Sequence, residues 1–296
     1  MNNDIAFSRF HPITLFCYFA CLLLFTMFTQ NPVLLALSLL GSLFFNLFTS
    51  TARQSLRDLK FYLPMFLLAA LTNPLFSHNG ATPLFFMNDN PVTLEAVLCG
   101  VSIAAMLTAV MLACKSFGKV MESDKLLALF GKVSPRLSVL LSMSLRFIPL
   151  MKRKWKDIRD CQAAVGYFRD DSAFSRLVSH ARVFSTLVGW SLENAADTAA
   201  SMSARGYELE GKKHFSLFKF TKVDVAFLGA TLILSALTLA GFLSGRADFG
   251  FYPVISQINT DIFSLMTYSA FAILAFMPFI FEVKEAIKWK YLRSKI

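Results

Sequence analysis

"FYLPMFLLAALTNPLFSH", Phe61 to His78, is apolar enough for lipid but carries two prolines, Pro64 and Pro74. Either it crosses a bilayer as a kinked helix, or it turns back inside protein. The choice sets the direction of every span after it. Five other segments are apolar over the roughly 17–20 residues that cover a hydrocarbon core: about Pro12 to Thr29, Pro32 to Thr49, Leu94 to Cys114, Val225 to Ser244 and Ile262 to Phe281. If all six cross with the N-terminus inside, the outer loops are Gln30 to Asn31, His78 to Thr93, and Gly245 to Asp261. Of the 29 Lys and Arg, only Arg246 then lies outside, as the positive-inside rule requires. A re-entrant third segment would reverse the fourth and destroy that asymmetry. The sequence therefore predicts six crossings, with both termini cytoplasmic.

Composition agrees. The chain is 55% hydrophobic with 32 Phe, and only 16% charged, well below the soluble share of about a quarter. The first apolar stretch lacks a small-residue cleavage site and is followed at once by another, so it reads as a retained span. The net charge of +10 is explained by topology. No basic stripe with interleaved aromatics points to nucleic acid. Cys17, Cys21, Cys99, Cys114 and Cys161 form no CxxC pair or Cys/His cluster and read as small hydrophobes, with no disulfide framework.

The fourth and fifth spans are separated by Lys115 to Lys222, roughly a hundred residues where connectors usually take single digits. The insert keeps its apolar periodicity, so it reads as a folded domain. The chain thus divides into four N-terminal spans (1–114), a cytoplasmic insert (115–222), and two C-terminal spans with a basic tail (223–296). Within the insert, Ser134 and Pro135 are the N-cap and first residue of a helix. Leu137, Leu140, Leu141, Ser144, Leu145 and Ile148 make its apolar face. Pro149 bends it, and Lys152, Arg153, Lys154, Lys156 and Arg159 follow as a basic surface. That pattern suits the headgroup region, with cations facing anionic lipid or an acidic partner.

A second insert helix runs from Ser172 to Tyr207. Its bulky start (Phe174, Leu177, Val178, Phe184, Leu187, Val188) gives way to "NAADTAASMSARG", where Ala195, Ala199 and Ser203, and Ala196, Ala200 and Ala204, recur every four residues. Such rows admit another helix at close range. Glu193 and Asp197 share one face, for which Arg146 or Arg159 are the cations at hand. The helix ends at Arg205-Gly206: Gly takes the left-handed position, and Arg complements the helix dipole. Taken alone, that is an ordinary cap.

The ensemble says more. "SLRFIPL" (Ser144–Leu150), "CQAAVGYF" (Cys161–Phe168) and "SLENAADTAASMSARGY" (Ser191–Tyr207), inside an insert between apolar helices, resemble the T component of energy-coupling factor (ECF) transporters, the EcfT/CbiQ-like family. The resemblance is strongest from about Lys132 to Tyr207. It implies an all-α polytopic scaffold in a bacterial or archaeal cytoplasmic membrane, with crossed cytoplasmic coupling helices. In that family each of two such helices ends in an Ala-Arg-Gly motif docked in an ATPase subunit. The resemblance assigns Ala204, Arg205 and Gly206 to the second motif, with Glu193, Asp197 and Met202 matching positions leading into it; Arg146, with Glu193 and Asp197, is read as support for the coupling helices. Ala164, Val165 and Gly166 fall on the first, where Val165 replaces the Arg.

A Val cannot make the bidentate, charge-assisted bonds of a guanidinium. Either Arg159 or Arg169 compensates, or the two ATPase contacts are unequal, which fits an ATPase heterodimer. The family also implies a separate substrate-binding membrane subunit for vitamins or metal ions. The chain has no GxxxxGK[ST] loop, so ATP and Mg would be used by the partners, and no cofactor is expected on the chain itself. Two other classes fit less well. A secondary transporter needs ionisable sites near the midplane, whereas Glu95 and Glu282 fall at span ends. A membrane enzyme needs converging catalytic groups, whereas His11, His78, His180 and His214 are scattered.

Overall fold

The computed structural model describes residues 6–77, 80–87, 90–133, 135–168, 172–207, 218–245, 247–252, 254–257 and 259–293. Ser134, Arg169, Arg246, His78 and His214, each named above, lie outside these. A short 3-10 turn (Ala6–Arg9) leads into α1 (Pro12–Phe28), α2 (Pro32–Thr49) and α3 (Ala52–Phe76). A small antiparallel hairpin, β1 (Pro83–Met87) and β2 (Asn90–Thr93), precedes α4 (Leu94–Val120), α5 (Ser123–Val133), α6 (Pro135–Ala164), α7 (Ala173–Ala204), α8 (Lys222–Leu243) and α9 (Ile262–Arg293). The chain is an all-α polytopic membrane protein. Five helices, α2, α3, α4, α8 and α9, are long and apolar enough to cross a bilayer, and α1 is a 17-residue apolar helix.

The caps explain where these helices start. The His11 side chain accepts from the Ile13 amide, Asn31 accepts from Val33, and Thr93 from Ala96, each just ahead of an apolar run. Pro12 and Pro32 occupy the first helical positions, where no amide proton is missed. The third helix begins earlier than its apolar run. Thr51 and Gln54 cap each other reciprocally, starting α3 at Ala52.

The chain forms two compact units, residues 1–126 with 218–296, and residues 127–217. In the first, six helices alternate in direction, and hydrogen bonds at the two ends of the bundle fix this. At one end, Asn46 near the close of α2 donates to the Leu112 carbonyl (2.9 Å) and to Ser116 (2.7 Å) of α4. Beside it Lys119 reaches Ser50, and Lys115 pairs with Asp58 near the start of α3. At the other end, Asn73 of α3 donates to the Ala96 carbonyl at the start of α4 (3.0 Å) and to the Tyr252 hydroxyl (3.3 Å) between α8 and α9. Helix α3 therefore runs the height of the bundle through both prolines. From Phe61 to Phe76 the stretch is helix without a reversal, and α3 is long and apolar enough to cross.

Close approach is built on small residues. A Cβ on Gly100 would stand 2.4 Å from the Ala70 carbonyl of α3, and one on Gly41 2.8 Å from the Ala275 carbonyl of α9. The core is aromatic: the buried Phe7 ring lies edge-on to Phe10, Tyr18, Phe19, Phe45 and Phe227. The Tyr18 hydroxyl donates to the Leu274 carbonyl at 3.1 Å, so burying the ring leaves no donor unpaired.

Buried carboxylates also hold backbone. Glu282 accepts from the Ala6 and Phe7 amides, both at 3.0 Å, and Asp224 accepts from the His11 amide at 2.8 Å. Glu95 accepts from the Thr82 hydroxyl at 2.9 Å. Where the chain leaves this unit, the Lys125 ammonium is buried and donates to the Val120 carbonyl at 2.7 Å. Burial pushes its pKa below the usual lysine range, with the Glu122 carboxylate opposing.

Candidate functional site: two matched helix ends

The second unit is built on α6 and α7. Phe147 of α6 faces Trp190 of α7 (6.3 Å between ring centres), and Trp155 stacks on His180 (6.3 Å, 9°). As numbering rises on one helix it falls on the other, so the pair is antiparallel. Lys154 sits over the Trp190 ring at 5.3 Å, and Val183, Leu187 and Ser179 are buried.

Both helices stop in the same way. At the end of α6, the Gly166 amide donates to the Ala163 carbonyl (3.0 Å) and the Tyr167 amide to the Gln162 carbonyl (3.2 Å). At the end of α7, the Gly206 amide donates to the Ser203 carbonyl (2.9 Å) and the Tyr207 amide to the Met202 carbonyl (3.1 Å). Gly166 and Gly206 have φ of +95° and +73°. These are two Schellman caps in the same register. Left-handed backbone explains each Gly, since any other L-residue would meet Cβ strain there. The repeat behind them is Ala-X-Gly-Tyr, read as Ala164 to Tyr167 and Ala204 to Tyr207.

Only X differs in kind. Val165 and Arg205 occupy the same cap position and both are exposed, Val165 by 74%. One end thus presents an apolar tip. The other presents a guanidinium at the negative end of the helix dipole, where a cation is favoured.

The first cap is braced within the unit: Ser179 donates to the Tyr167 carbonyl at 2.7 Å, and the Arg182 guanidinium lies 4.1 Å from the Tyr167 ring centre. Those partners sit near the start of α7, whereas Arg205 closes its far end. At 1.5 Å per residue the two caps are roughly 35–40 Å apart.

The supporting residues stay on the surface. Arg146, Glu193 and Asp197 are exposed, and among the described residues no ion pair joins them to one another or to Arg159, which lies 3.7 Å from Asp160. Ala195, Ala196, Ala199, Ala200 and Ala204 are also exposed. The structure therefore leaves the small-residue face of α7 uncovered. Among the described residues no group of three or more His, Cys, Asp and Glu stands together as a metal site would require.

A family model described as cobalt transport protein, CbiQ, matches residues 8–215, which takes in the first four membrane helices and both caps. The chain belongs to the CbiQ family of cobalt transport proteins. It is accordingly a membrane component of a transport system. A search of curated proteins gives no match.

In this CbiQ-family chain, sequence reasoning reached Ala164, Val165, Gly166, Ala204, Arg205 and Gly206 through resemblance. It passed over Tyr167 and Tyr207, whose amides close both caps. The signal was the tetrapeptide repeat itself, which needs no structure to see.

Proposed function

We propose that the chain is the T component of an ECF-type importer, a scaffold whose two helix ends each dock on one of two ATPase subunits. The observation that carries this is the pair of Schellman caps in the same register, far apart, with exposed Val165 at one and exposed Arg205 at the other. A rigid antiparallel pair with a docking tip at each end is suited to sensing the distance between two ATPases. Nucleotide-dependent closure of those subunits would draw the tips together or twist the pair. The membrane helices would pass the movement to a separate substrate-binding subunit for a metal ion or vitamin. ATP and Mg act in the partner ATPases. On this reading the insert and both termini are cytoplasmic, since the positive-inside rule then places nearly all Lys and Arg there.

The secondary-transporter reading gains nothing from the buried acids. Glu95 and Asp224 sit in the first turns of α4 and α8, Glu282 lies inside α9, and each is bound to a backbone amide or a neighbouring hydroxyl, as structural anchors are.

Val165 leads us to two unequal ATPase contacts and a heterodimer. Expression in the native host and purification through the membrane chain, with co-purifying ATPase measured, tests this with Arg205→Glu and Val165→Glu. Losing a desolvated Arg contact costs about 2–5 kcal/mol, so Arg205→Glu is expected to release its ATPase. Val165→Glu is expected to weaken the complex less. Equal losses would refute unequal contacts; full retention by Arg205→Glu would refute docking at that cap.

A further inference from the structure

Helices joined by a short turn usually lie side by side. Here α2 and α3, linked only through Ser50 and Thr51, both pack on α4 and scarcely on one another. The gap between them is a cavity of about 460 Å³, within the range of about 300–1,000 Å³ that small-molecule sites occupy. Leu43 and Leu47 of α2 form one wall, Leu63 and Phe66 of α3 the other, and buried Thr108 and Leu112 of α4 the floor. The Thr108 hydroxyl donates to the Ala104 carbonyl at 2.7 Å, so the floor offers an occupant no unpaired donor. Leu47 and Leu63 are exposed, and the cavity opens sideways from the bundle.

One end of it is ionic. Asp58, which lines the cavity, pairs with Lys115, and the Lys119 ammonium donates to the side chains of Asn46, also in the lining, and of Ser50. Two cations thus meet one carboxylate, and both of those Lys119 partners are neutral. The other charged residues of α3, Arg53, Arg57 and Lys60, lie toward the same end, and α2 carries none. From Ser55 to Phe66 the α3 wall covers about 16 Å. Half a hydrocarbon core is about 15 Å thick. The cavity is therefore one leaflet long, cationic where headgroups lie and apolar where acyl chains lie.

We infer that this cavity binds one phospholipid of the leaflet into which it opens. An acyl chain lies between Leu43 and Leu63 and reaches Phe66, and the phosphate sits at Lys119, supplying the anion that the ionic end lacks. Apolar walls of leaflet length followed by an unmatched cation fit the two parts of such a lipid in order. The bound chain fills the space between α2 and α3 that no side chain fills. None of this rests on the ATPase reading.

The test strips lipid from the purified full-length chain in detergent, then titrates it with phosphatidylglycerol and with diacylglycerol of the same acyl chains, counting bound lipid by native mass spectrometry. The wild type is expected to bind one phosphatidylglycerol about fivefold more tightly than diacylglycerol, the worth of one cation near a phosphate. Lys119→Gln is expected to erase that preference while still binding diacylglycerol, which also shows that it is folded. A Leu43→Trp, Leu63→Trp variant, narrowing the cavity from both walls, is expected to lose both lipids without a lower unfolding temperature. Lys60→Gln, exposed near the same end but outside the lining, is expected to bind as wild type.

Equal affinity of the wild type for the two lipids overturns the proposal. So does an equal loss from Lys60→Gln, which would mean diffuse attraction to charge, or unchanged binding by the double Trp variant, which would put the lipid elsewhere on the bundle. Failure of the wild type to retain either lipid overturns it as well, and would mean that the walls close on each other or that protein covers them.

Discussion

Gly206 shows how much one residue sets at the proposed docking tip. Its φ of +73° is reached by an alanine only at a cost of about 1–2 kcal/mol. Gly206→Ala is therefore expected to fray the last turn of α7, speeding hydrogen exchange at the Gly206 and Tyr207 amides by about tenfold or somewhat more. Exchange in the buried stretch around Val183 should not change. Gly166→Ala should do the same at the end of α6. Unchanged exchange would mean that the caps do not hold the helix ends. These glycines were legible in the sequence as helix stops. That the two stops close with the same hydrogen bonds was not, because register between amides and carbonyls three and five residues back is a property of the folded backbone. Nor could Arg146, Glu193 and Asp197 be read as solvent-exposed, since charge spacing on a helix does not say what lies opposite.

At the scale of elements, the bundle depends on crossings and on polar contacts at its ends. Gly100 allows α3 to lie against α4, and a side chain there would meet the Ala70 carbonyl at 2.4 Å. Gly100→Leu is expected to force the helices apart at about 1–3 kcal/mol, seen as a lower unfolding temperature in detergent and loss of a cross-link engineered between α3 and α4. The Lys115–Asp58 pair ties the other end of the same crossing. Its side chains are 26% and 20% exposed, so Asp58→Ala is expected to cost about 1–3 kcal/mol, less than breaking a fully buried pair. A cost indistinguishable from zero would assign the pair to solvent screening.

The same contacts explain where sequence reading of the elements stopped short. Arg53, Arg57, Asp58 and Lys60 ended the apolar window at Phe61, although Thr51 and Gln54 begin the helix nine residues earlier. Lys115 ended the fourth span on paper, yet α4 continues to Val120 because Lys115 and Lys119 find partners on its neighbours. The β1–β2 hairpin was missed for a different reason: Pro83 and Pro91 weigh against strands, and both runs are short.

For the whole molecule, six alternating spans followed from hydrophobicity and the placement of Lys and Arg; five helices are long and apolar enough to cross a bilayer, α1 is a shorter apolar helix, and α3 is one continuous helix through both prolines. The functional reading rests on geometry that no window of sequence contains: an antiparallel pair with like caps roughly 35–40 Å apart. If these are docking tips, each must touch its own ATPase when the complex assembles. A photo-cross-linking residue placed at Val165, and separately at Arg205, in the chain expressed in its native host measures this directly. The account predicts that each cap captures an ATPase subunit, identified by peptides carrying the phosphate-binding GxxxxGK[ST] loop, and that the two caps capture different subunits. Capture of ATPase at neither position, with the chain still folded and in the membrane, would contradict it.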